Sequence, residues 1–567
     1  MSGTIADPGG AVVAGAHVTA TETATDHPST AVTNQVGFYL IPNLMPGNYT
    51  LRVEAPGFKA SVQSGVVLVV GQEASINLSL QVGSAGSVVR VHEQSVQPDV
   101  RSSTVSTIIT PQMMRELPLN GRNVLQLMKL SPDVAAAYGS SAGPYSQYAT
   151  RPETGNNLTS VSGGRGNSTT YYLDGGLNED PYTQVANIYP NPDAIEEYSL
   201  QTSTPSAKFA ARGGGVVNAV TRSGTNQFHG TVFEFLRNNA LNARNYFAPT
   251  DDGLKRSQYG FTFGGPIQKN KTFFFASWQH TKVRSRPSQN ISQSYTPAQL
   301  GGDFSALCSE GFTAGICNNP THQLHAPDNP ADPFLNNQIP TDLYDPVAVK
   351  LAAITPIGDP TTGLTFYTTP NVSDDNQWVG RADHTFNDKF RMMGRYLYDR
   401  LDQPGVNTNI LSAQPGVYYS SQNATVNALY IPTPNLTANF NFTFSRAIIV
   451  YNGPSLPGLT ELGSNIPNLV QGGSGSSLVF DIGGYFGAFW DGLYRIPRNE
   501  YNFSNSETWI RGNHLIEFGG EFTAQQSLLD QDYLSEGDPS FYGQRTGNNL
   551  ADFFLGATSA FSQLYPL

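Results

Sequence analysis

Three patterns in the sequence contain side chains that could bind a ligand or a metal. The glycine run 213–215 invites comparison with a phosphate-binding loop, but the Gly-Lys-Ser/Thr that such a loop requires does not follow it. His322 and His325 lie among prolines and aspartates with no evident third metal ligand. We therefore predict a tight turn at the glycine run and a solvated loop at the histidines. Four carboxylates near the end of the chain miss the spacing of an EF-hand calcium loop, and they are Asp530, Asp532, Glu536 and Asp538.

No arrangement typical of a catalytic centre stands out in the chain. It contains no evident Ser/His/Asp combination, no cysteine in a reactive context, no paired-carboxylate motif and no zinc-peptidase motif. The sequence therefore predicts a protein that is not an enzyme and that carries neither a cofactor nor a metal. Its function must then come from what its structural elements bind.

The composition is that of a β-rich protein with neutral polar surfaces. Only 13% of the 567 residues are charged, about half the usual share, and the mean hydropathy is -0.29. Thirty-one Phe and 27 Tyr argue against disorder. The net charge of -12 argues against a nucleic-acid partner. The longest purely apolar run is 66–70, whereas a transmembrane helix needs about 20 such residues.

The N-terminal segment predicts a small β-sandwich. Short apolar stretches are separated by Pro- and Gly-containing turns, at a spacing typical of this architecture. The pattern G-x-Y…L-x-P-G-x-Y-x-L-x-V-x-A-x-G-F at 37–58 resembles the carboxypeptidase regulatory-like domain, an accessory module with a carbohydrate-binding-like fold. We expect its aromatic residues to form the core, and the alternative is an exposed aromatic face that binds sugar. These residues are Phe38, Tyr39, Tyr49 and Phe58.

The middle of the chain is punctuated by glycines, with short apolar runs between turn signals. Before it, Thr110 and Pro111 begin a capped helix that stops at Pro118, and a second helix is predicted at 124–130. Several motifs resemble the plug of TonB-dependent outer-membrane receptors, most closely the Oar-like subgroup, in which a carboxypeptidase regulatory-like domain precedes the plug. The motifs are Leu117 to Leu127 (L-P-L-N-G-R-N-V-L-Q-L), Arg165-Gly166-Asn167, Tyr172-Leu173-Asp174-Gly175, Ile195-Glu196-Glu197-Tyr198 and Gly213-Gly214-Gly215-Val216-Val217-Asn218.

The resemblance implies roles for the charged residues of this segment, which are unusual in so charge-poor a chain. In plug domains such charges mostly face the barrel wall, where they pair with residues of the lumen, and a minority contact the ligand. The candidates for plug–barrel contact or ligand binding are Arg165, Asp174, Glu196, Glu197, Arg212 and Arg222.

From Phe228 onward the sequence alternates with a period of two. In 436–445, for example, apolar or aromatic residues alternate with Thr, Asn and Ser. Such strands have one apolar face and one polar face. In a soluble sandwich the polar face would meet solvent, whereas in an outer-membrane barrel it faces the lumen and the apolar face meets outer-membrane lipid.

The lengths of the connections favour the barrel. Tight and long connections alternate without exception, as they do in outer-membrane barrels with short periplasmic turns and long extracellular loops. Cys308 and Cys317 lie nine residues apart in the longest of these loops. Because an extracellular loop lies in an oxidising environment, we expect the two cysteines to form a disulfide. The predicted strands lie near 228–238, 257–267, 272–283, 376–386, 390–400, 418–430, 436–450, 499–510, 514–526 and 550–560.

Together these patterns predict a mainly β protein. We expect a β-sandwich with a carbohydrate-binding-like fold at 1–82, a linker at 83–107, a small α+β plug at 108–226, and about ten strands of an antiparallel transmembrane β-barrel at 227–567. TonB-dependent barrels have about 22 strands, and an open sheet would expose two unpaired edges to lipid. No signal peptide opens the chain either. We therefore expect a fragment with an incomplete barrel, cut at both ends.

The resemblance implies a receptor or transporter in the outer membrane of a Gram-negative bacterium, with its N-terminal domain in the periplasm. A siderophore, glycan or peptide would bind the extracellular loops and the plug, and the inner-membrane TonB energising complex would rearrange the plug. Two alternatives stay open. One is an outer-membrane-anchored protein that binds glycans or mediates adhesion, which aromatic residues exposed on the sandwich would favour. The other is a secreted β-rich enzyme, which activity in a detergent-free preparation would favour.

Overall fold

Strands dominate the structure. Within the residues that it describes, no helix combines the length and apolarity needed to cross a membrane. The computed structural model of the chain describes residues 1–567 except 43, 70–73, 84–87, 97–103, 137–158, 182, 210–212, 245, 247–249, 287–288, 407–408, 454–455, 470–476, 491–493, 512–513, 532–533 and 565–567.

The N-terminal domain is a β-sandwich of two sheets around one hydrophobic core. Alternate side chains of the strand Gly47–Glu54 point into this core, as the period-two pattern predicts. Tyr39 and Tyr49 are fully buried, and Phe38 and Phe58 are half-buried. The larger sheet has the order Pro28–Val32, His17–Glu22, Gly47–Glu54, Ala60–Leu68 and Val88–Val96, and the smaller has the order Phe38–Leu40, Ser2–Ala6 and Leu78–Ser79.

The described residues of 105–222 form a small α+β unit, which we call the central domain. Its helix Pro111–Glu116 begins where the Thr110 side chain accepts a hydrogen bond from the Met113 amide, at 3.3 Å. The predicted second helix, Val124–Leu130, is a 3-10 helix and buries four of its apolar residues in the domain core. The five-stranded mixed sheet has the order Gly176–Leu177, Thr170–Leu173, Val216–Thr221, Ile195–Ser203 and Val105–Ile109.

Two shorter elements complete the central domain. The strands Val134–Ala136 and Thr159–Val161 form an antiparallel ribbon beside the main sheet. The 3-10 helix Pro192–Ala194 begins at a side-chain cap from Asn191, whereas the 3-10 helix Asn120–Arg122 begins at Leu119 without a side-chain hydrogen bond. The domain is therefore built from short elements.

The rest of the chain is organised by one long antiparallel sheet, in which each strand pairs with the next along the sequence. Nine of the ten predicted strands occur at their predicted positions, to within a few residues. Asp530–Gln531 adds a two-residue strand to the eighth. The nine long strands are β1 (His229–Asn238), β2 (Lys255–Gln268), β3 (Thr272–Ser285), β4 (Asn371–Asn387), β5 (Phe390–Gln403), β6 (Gly416–Thr433), β7 (Leu436–Asn452), β8 (Tyr494–Arg511) and β9 (His514–Ser527).

The predicted tenth strand at 550–560 is wrong. Asn549–Phe554 is an α-helix, and the nearest strand is the short Ala560–Ser562. The helix begins because the Asn548 side chain accepts hydrogen bonds from two of its first amides. The buried residues are Leu550, Ala551, Asp552, Phe553 and Phe554.

The connections of the long sheet differ at its two ends. At one end they are tight, at 269–271, 388–389 and 434–435, and there Arg511 of β8 also pairs with His514 of β9. At the other end they are long, as predicted, but they are not separate loops. Three long connections and the residues after β9 pack around a single hydrophobic core. We call this unit the cap, and its four segments are 286–370, 404–415, 453–493 and 528–564.

The cap has its own secondary structure and its own core. All four segments supply buried side chains, among them Phe304, Ile410, Phe480 and Phe553. The Phe480 and Phe553 rings stack with centroids 6.1 Å apart. Its elements are the helices Pro297–Leu300, Pro346–Ala353 and Asn549–Phe554 and the strands Asn290–Gln293, Phe312–Thr313, Ile316–Cys317, His325–Ala326, Asn329–Pro333, Leu364–Tyr367, Leu478–Ile482, Gly487–Trp490, Asp538–Phe541 and Ala560–Ser562.

Candidate functional site

The two faces of the long sheet have the opposite polarity to those of a sheet in a water-soluble protein. On β7 the polar side chains of Asn441, Thr443 and Ser445 are 5%, 1% and 2% exposed, whereas that of Phe440 is 48% exposed. A soluble domain buries its apolar face instead. The outward face therefore requires apolar surroundings. Exposed apolar residues run across its strands, including Val232, Leu236, Phe263, Trp378, Tyr396, Tyr430, Phe503, Trp509, Phe518 and Phe522.

The central domain lies against the inward face of this sheet. The two share a hydrophobic core, because Phe275 on β3, Val379 on β4 and Leu397 on β5 are buried in the same cluster as the central residues Tyr171 and Leu173. Around this apolar contact, the interface is polar and buried. The candidate site is therefore the set of charged and hydrogen-bonded contacts between the central domain and the sheet.

Asp174 occupies the centre of this interface. It stands with Gly175 at the turn between the strands Thr170–Leu173 and Gly176–Leu177, and both turn residues have positive φ, at 53° and 80°. An Asp-Gly pair is the usual sequence for such a two-residue hairpin turn. The turn approaches β7 so closely that a Cβ at Gly176 would meet the Thr443 hydroxyl at 1.8 Å. The hairpin thereby presents the Asp174 carboxylate to the sheet.

Two arginines of the sheet bind the Asp174 carboxylate. Arg381 on β4 reaches it at 3.2 Å and Arg395 on β5 at 2.9 Å, and all three side chains are at most 1% exposed. Thr221 donates to the same carboxylate from its amide at 2.8 Å and from its hydroxyl at 3.0 Å. Buried charges are tolerated when they are paired and hydrogen-bonded in this way.

The remaining donors of both guanidinium groups are also occupied. Arg381 pairs with Asp383 on its own strand at 2.8 Å. Arg395 donates to the Asn423 carbonyl at 3.0 Å and to the Thr425 hydroxyl at 2.9 Å. The cluster is therefore a continuous network across β4, β5 and β6 rather than an isolated ion pair.

A second buried ion pair lies further along the interface. Arg498 on β8 binds Asp180 of the central domain at 2.7 Å, and both side chains are at most 2% exposed. Asp180 also accepts hydrogen bonds from the amide and hydroxyl of Thr183. Nearby, the Asn191 amide donates to Gln377 at 2.6 Å. Contacts with five strands of the sheet, β4 to β8, therefore hold the central domain.

A third contact reaches the beginning of the sheet. Arg122 of the central domain pairs with Asp193 of the same domain. Its guanidinium also stacks over the rings of Phe233 and Phe235 on β1, at 4.7 and 4.1 Å from their centroids. It donates to Gln279 on β3 at 3.3 Å. Arg122 thus joins the 3-10 helix Asn120–Arg122 to the edge of the sheet.

Of the six charged residues singled out in the sequence, Asp174 reaches the sheet through a salt bridge. Glu196 and Arg222 lie 3.4 Å apart as an ion pair within the central domain. Glu197 is buried on the central sheet. Arg165 is exposed in a turn, where its carbonyl accepts a hydrogen bond from Ser168. Arg212 lies outside the described residues.

Sequence reasoning missed Asp180 and the arginines of the sheet. A signal for the arginines is present in the alternation, since Arg381, Arg395 and Arg498 stand at inward positions of their strands. No comparable signal selects Asp180. Its partner lies 318 residues away in the sequence.

The candidate metal ligands do not form a common site. Cys308 and Cys317 form a disulfide with a Cα–Cα distance of 5.8 Å, so that their sulfurs are not free thiolates beside Glu310. That trio is the one metal-like cluster among the residues with described positions. His322 pairs with Glu310 at 3.2 Å. Glu536 is buried and accepts a hydrogen bond from the Asn468 side chain at 2.9 Å. Asp532 lies outside the described residues.

Comparison with known proteins agrees with this arrangement. Residues 220–567 match the family described as "Outer membrane beta barrel domain", and residues 1–81 match the carboxypeptidase regulatory-like domain. The TonB-dependent transporter Oar of Myxococcus xanthus is 28% identical over 281 residues, which are 47% of this chain and 26% of that protein.

Two outer-membrane proteins are among the solved structures to which this chain is similar. The transporter YddB of Escherichia coli is 13% identical with a TM-score of 0.44, over 77% of this chain and 50% of its own. The ferric enterobactin receptor PfeA of Pseudomonas aeruginosa is 12% identical with a TM-score of 0.43, over 76% and 50%. The chain thus spans about a quarter of the curated relative and half of the solved structures. The chain therefore belongs to the outer-membrane β-barrel family, begins with a carboxypeptidase regulatory-like domain, and is similar to the TonB-dependent transporter Oar.

Proposed function

We propose that the chain is part of a TonB-dependent receptor that binds a ligand outside the cell and passes it through a plugged barrel. In this proposal residues 108–226 are the plug, and β1 to β9 form one side of the barrel wall. The observation that carries it is the buried contact of Asp174 with Arg381 and Arg395 on the inward face of the sheet. Further strands would pair with the edges β1 and β9, because hydrocarbon does not tolerate unpaired backbone groups.

The orientation follows from the connections. Tight turns lie on the periplasmic side of outer-membrane barrels and long loops outside. The cap would then face the medium, and the N-terminal domain, residues 1–82, would lie in the periplasm. In support, the N-terminal domain contacts the tight-turn end, where the Asn226 amide donates to the Ala24 carbonyl at 3.0 Å.

The polarity of the interface suits a plug that has to move. Most contacts around Asp174, Asp180 and Asn191 are hydrogen bonds and ion pairs, which water can replace when a path opens. Ligand would bind the cap and the outward parts of the plug. The inner-membrane TonB energising complex would then pull from the periplasmic side and rearrange the plug, with no bond chemistry in the protein itself.

The experiment that tests this function is uptake by cells. The full-length protein would be produced in a Gram-negative host and offered a radiolabelled ferric catecholate siderophore, oligosaccharide or short peptide, each in a separate arm. We expect one class to accumulate in cells with an intact TonB complex and not in cells that lack TonB. Accumulation that is independent of TonB, or a protein that fractionates outside the outer membrane, would contradict the proposal.

The two alternatives receive no support from the site. A glycan-binding sandwich would present aromatic faces to solvent, but Tyr39 and Tyr49 are buried in the core. The curated relative and the solved structures described above are transporters or receptors rather than enzymes. Transport by a plugged barrel therefore remains the function that the geometry supports best.

A further inference from the structure

A partly open cavity lies under the central domain at the tight-turn end of the sheet. Its volume is about 840 Å³, which is within the usual range for pockets that hold small ligands. Three parts of the molecule form its walls. The N-terminal domain supplies Glu22 and Met45, the central domain Glu196 and Arg222, and the sheet Arg381 and Met393.

Polar contacts join the N-terminal domain to the rim of the sheet. Asn226, which leads into β1, donates from its amide to the Ala24 carbonyl at 3.0 Å and from its side chain to Asp26 at 3.5 Å. The Asn226 side chain also accepts from the Asn270 amide in the tight turn between β2 and β3, at 2.8 Å. One residue therefore joins the turn 23–26 of the N-terminal domain to the rim of the sheet.

Charged groups face each other across the same contact. The Glu22 carboxylate accepts a hydrogen bond from Thr25 at 2.7 Å and faces Arg391, Arg381 and Asp383 of the sheet. Arg391 lies at the start of β5 and also faces Tyr49. Polar interfaces between domains of this kind permit the domains to separate.

We propose that the N-terminal domain is a gate that closes the periplasmic exit of the cavity. When it is docked through the turn 23–26, it covers the inward residues of the sheet below the central domain. When it undocks, the cavity opens on the tight-turn side. The inference rests on the proposed function in one respect, namely that ligand leaves towards the periplasm.

The test locks the gate and measures access to the cavity. Ala24→Cys and Asn226→Cys introduce a pair of thiols at hydrogen-bonded neighbours, and Met393→Cys introduces a reporter thiol in the cavity. A bulky water-soluble maleimide is added to the purified full-length protein in detergent. Since labelling proceeds only through the open fraction, we expect oxidation of the pair to slow labelling of the reporter by about tenfold or more. Asp359→Cys on the exposed surface of the cap is the control and should label equally in both states.

Equal labelling of the reporter with the pair oxidised and reduced would overturn the proposal. Asn427→Cys, a second cavity position, replaces Met393→Cys if that variant does not fold. This assay needs no ligand and no TonB complex, so that its result is separate from that of the uptake experiment. If the unlocked protein transports a probe, the locked protein should lose that transport and regain it on reduction.

Discussion

At the scale of single residues, Asp174 is the position whose loss should matter most for the central domain. Asp174→Asn keeps the shape of the side chain but leaves Arg381 and Arg395 buried without their shared carboxylate. Breaking a buried pair by removing one partner costs about 3–5 kcal/mol. We expect the midpoint of thermal unfolding of the purified protein to fall, together with the protease resistance of residues 105–222.

The matched control for this variant is Asp342→Asn. Asp342 is exposed on the cap, so that its charge is screened by solvent and its replacement should leave the midpoint unchanged. An equal shift for Asp174→Asn and Asp342→Asn would contradict the importance of the buried network. The double variant Asp174→Asn, Arg395→Gln should cost less than the sum of the single changes, because the two residues share one contact.

What the sequence predicts at this scale is local. The Asp-Gly pair predicts the hairpin turn that carries Asp174, and the inward position of Arg381 and Arg395 follows from the period of two. Their pairing does not follow, since Arg381 lies 207 residues beyond Asp174 in the sequence. Only the packing of the central domain against the sheet brings them together.

At the scale of the strand, the two faces of β7 should respond oppositely to charge. Phe442 lies on the outward face, where arginine would meet lipid, so that Phe442→Arg should cost about 2–4 kcal/mol in the complete barrel. Asn441, its neighbour, is a poor control because it donates to the Asp174 carbonyl at 3.3 Å. Asn439 also points inward but lines the cavity, so that Asn439→Arg should cost less. Refolding into lipid vesicles and measuring unfolding by urea would compare the two, and equal tolerance would contradict the assignment of faces.

The cap disulfide offers a second test at the scale of elements. Removing it with Cys308→Ser, Cys317→Ser frees a loop of nine residues, for which chain entropy predicts a loss of about 2–3 kcal/mol. The core of the cap should persist, because Phe304 and Phe480 come from different segments that pack together without the disulfide. Hydrogen exchange should therefore quicken most around 308–317. Loss of protection across the whole cap would instead mean that the disulfide holds the core together.

The sequence predicts strands better than it predicts the helix Asn549–Phe554. Long alternating segments such as β7 carry the period of two over many residues. The helix has six residues, which are too few for periodicity to separate a helix from a strand. A short apolar run such as this one is compatible with either element. This segment is a helix because the Asn548 side chain binds its first amides and because its apolar residues pack into the core of the cap. Both contacts are visible only in three dimensions.

At the scale of the whole molecule, the cap is the part that the sequence describes least well. Its core joins segments that are separated by long strands, so that no local pattern marks them as one unit. The cap also carries the net charge of the chain. When its last segment is extended to residue 567, its four segments contain 15 acidic and three basic residues, which equals the whole net charge of -12. The rest of the chain is neutral, and any electrostatic steering of a ligand would originate in the cap.

The docking of the N-terminal domain should depend on pH, with two groups acting in opposite directions. Burial, together with the nearby Asp383, raises the pKa of Glu22 above its usual 4.5. With respect to Glu22, docking is therefore strongest below pH 4.5, and it weakens as pH rises through the raised pKa. Burial, together with Arg391, lowers the pKa of His27 below 6.5, although Asp388 opposes the shift. Docking is therefore strongest above pH 6.5 with respect to His27, and it weakens as pH falls through the lowered pKa.

Single variants separate these two effects. In Glu22→Gln, labelling of the thiol introduced by Met393→Cys should slow as pH rises towards 6.5, because only the His27 dependence remains. In His27→Gln, the same labelling should quicken as pH rises from about 4.5, because only the Glu22 dependence remains. Rates are divided by those of Asp359→Cys at each pH, which removes the titration of the thiol itself. Parallel slopes in the two variants would mean that neither group senses the docked state.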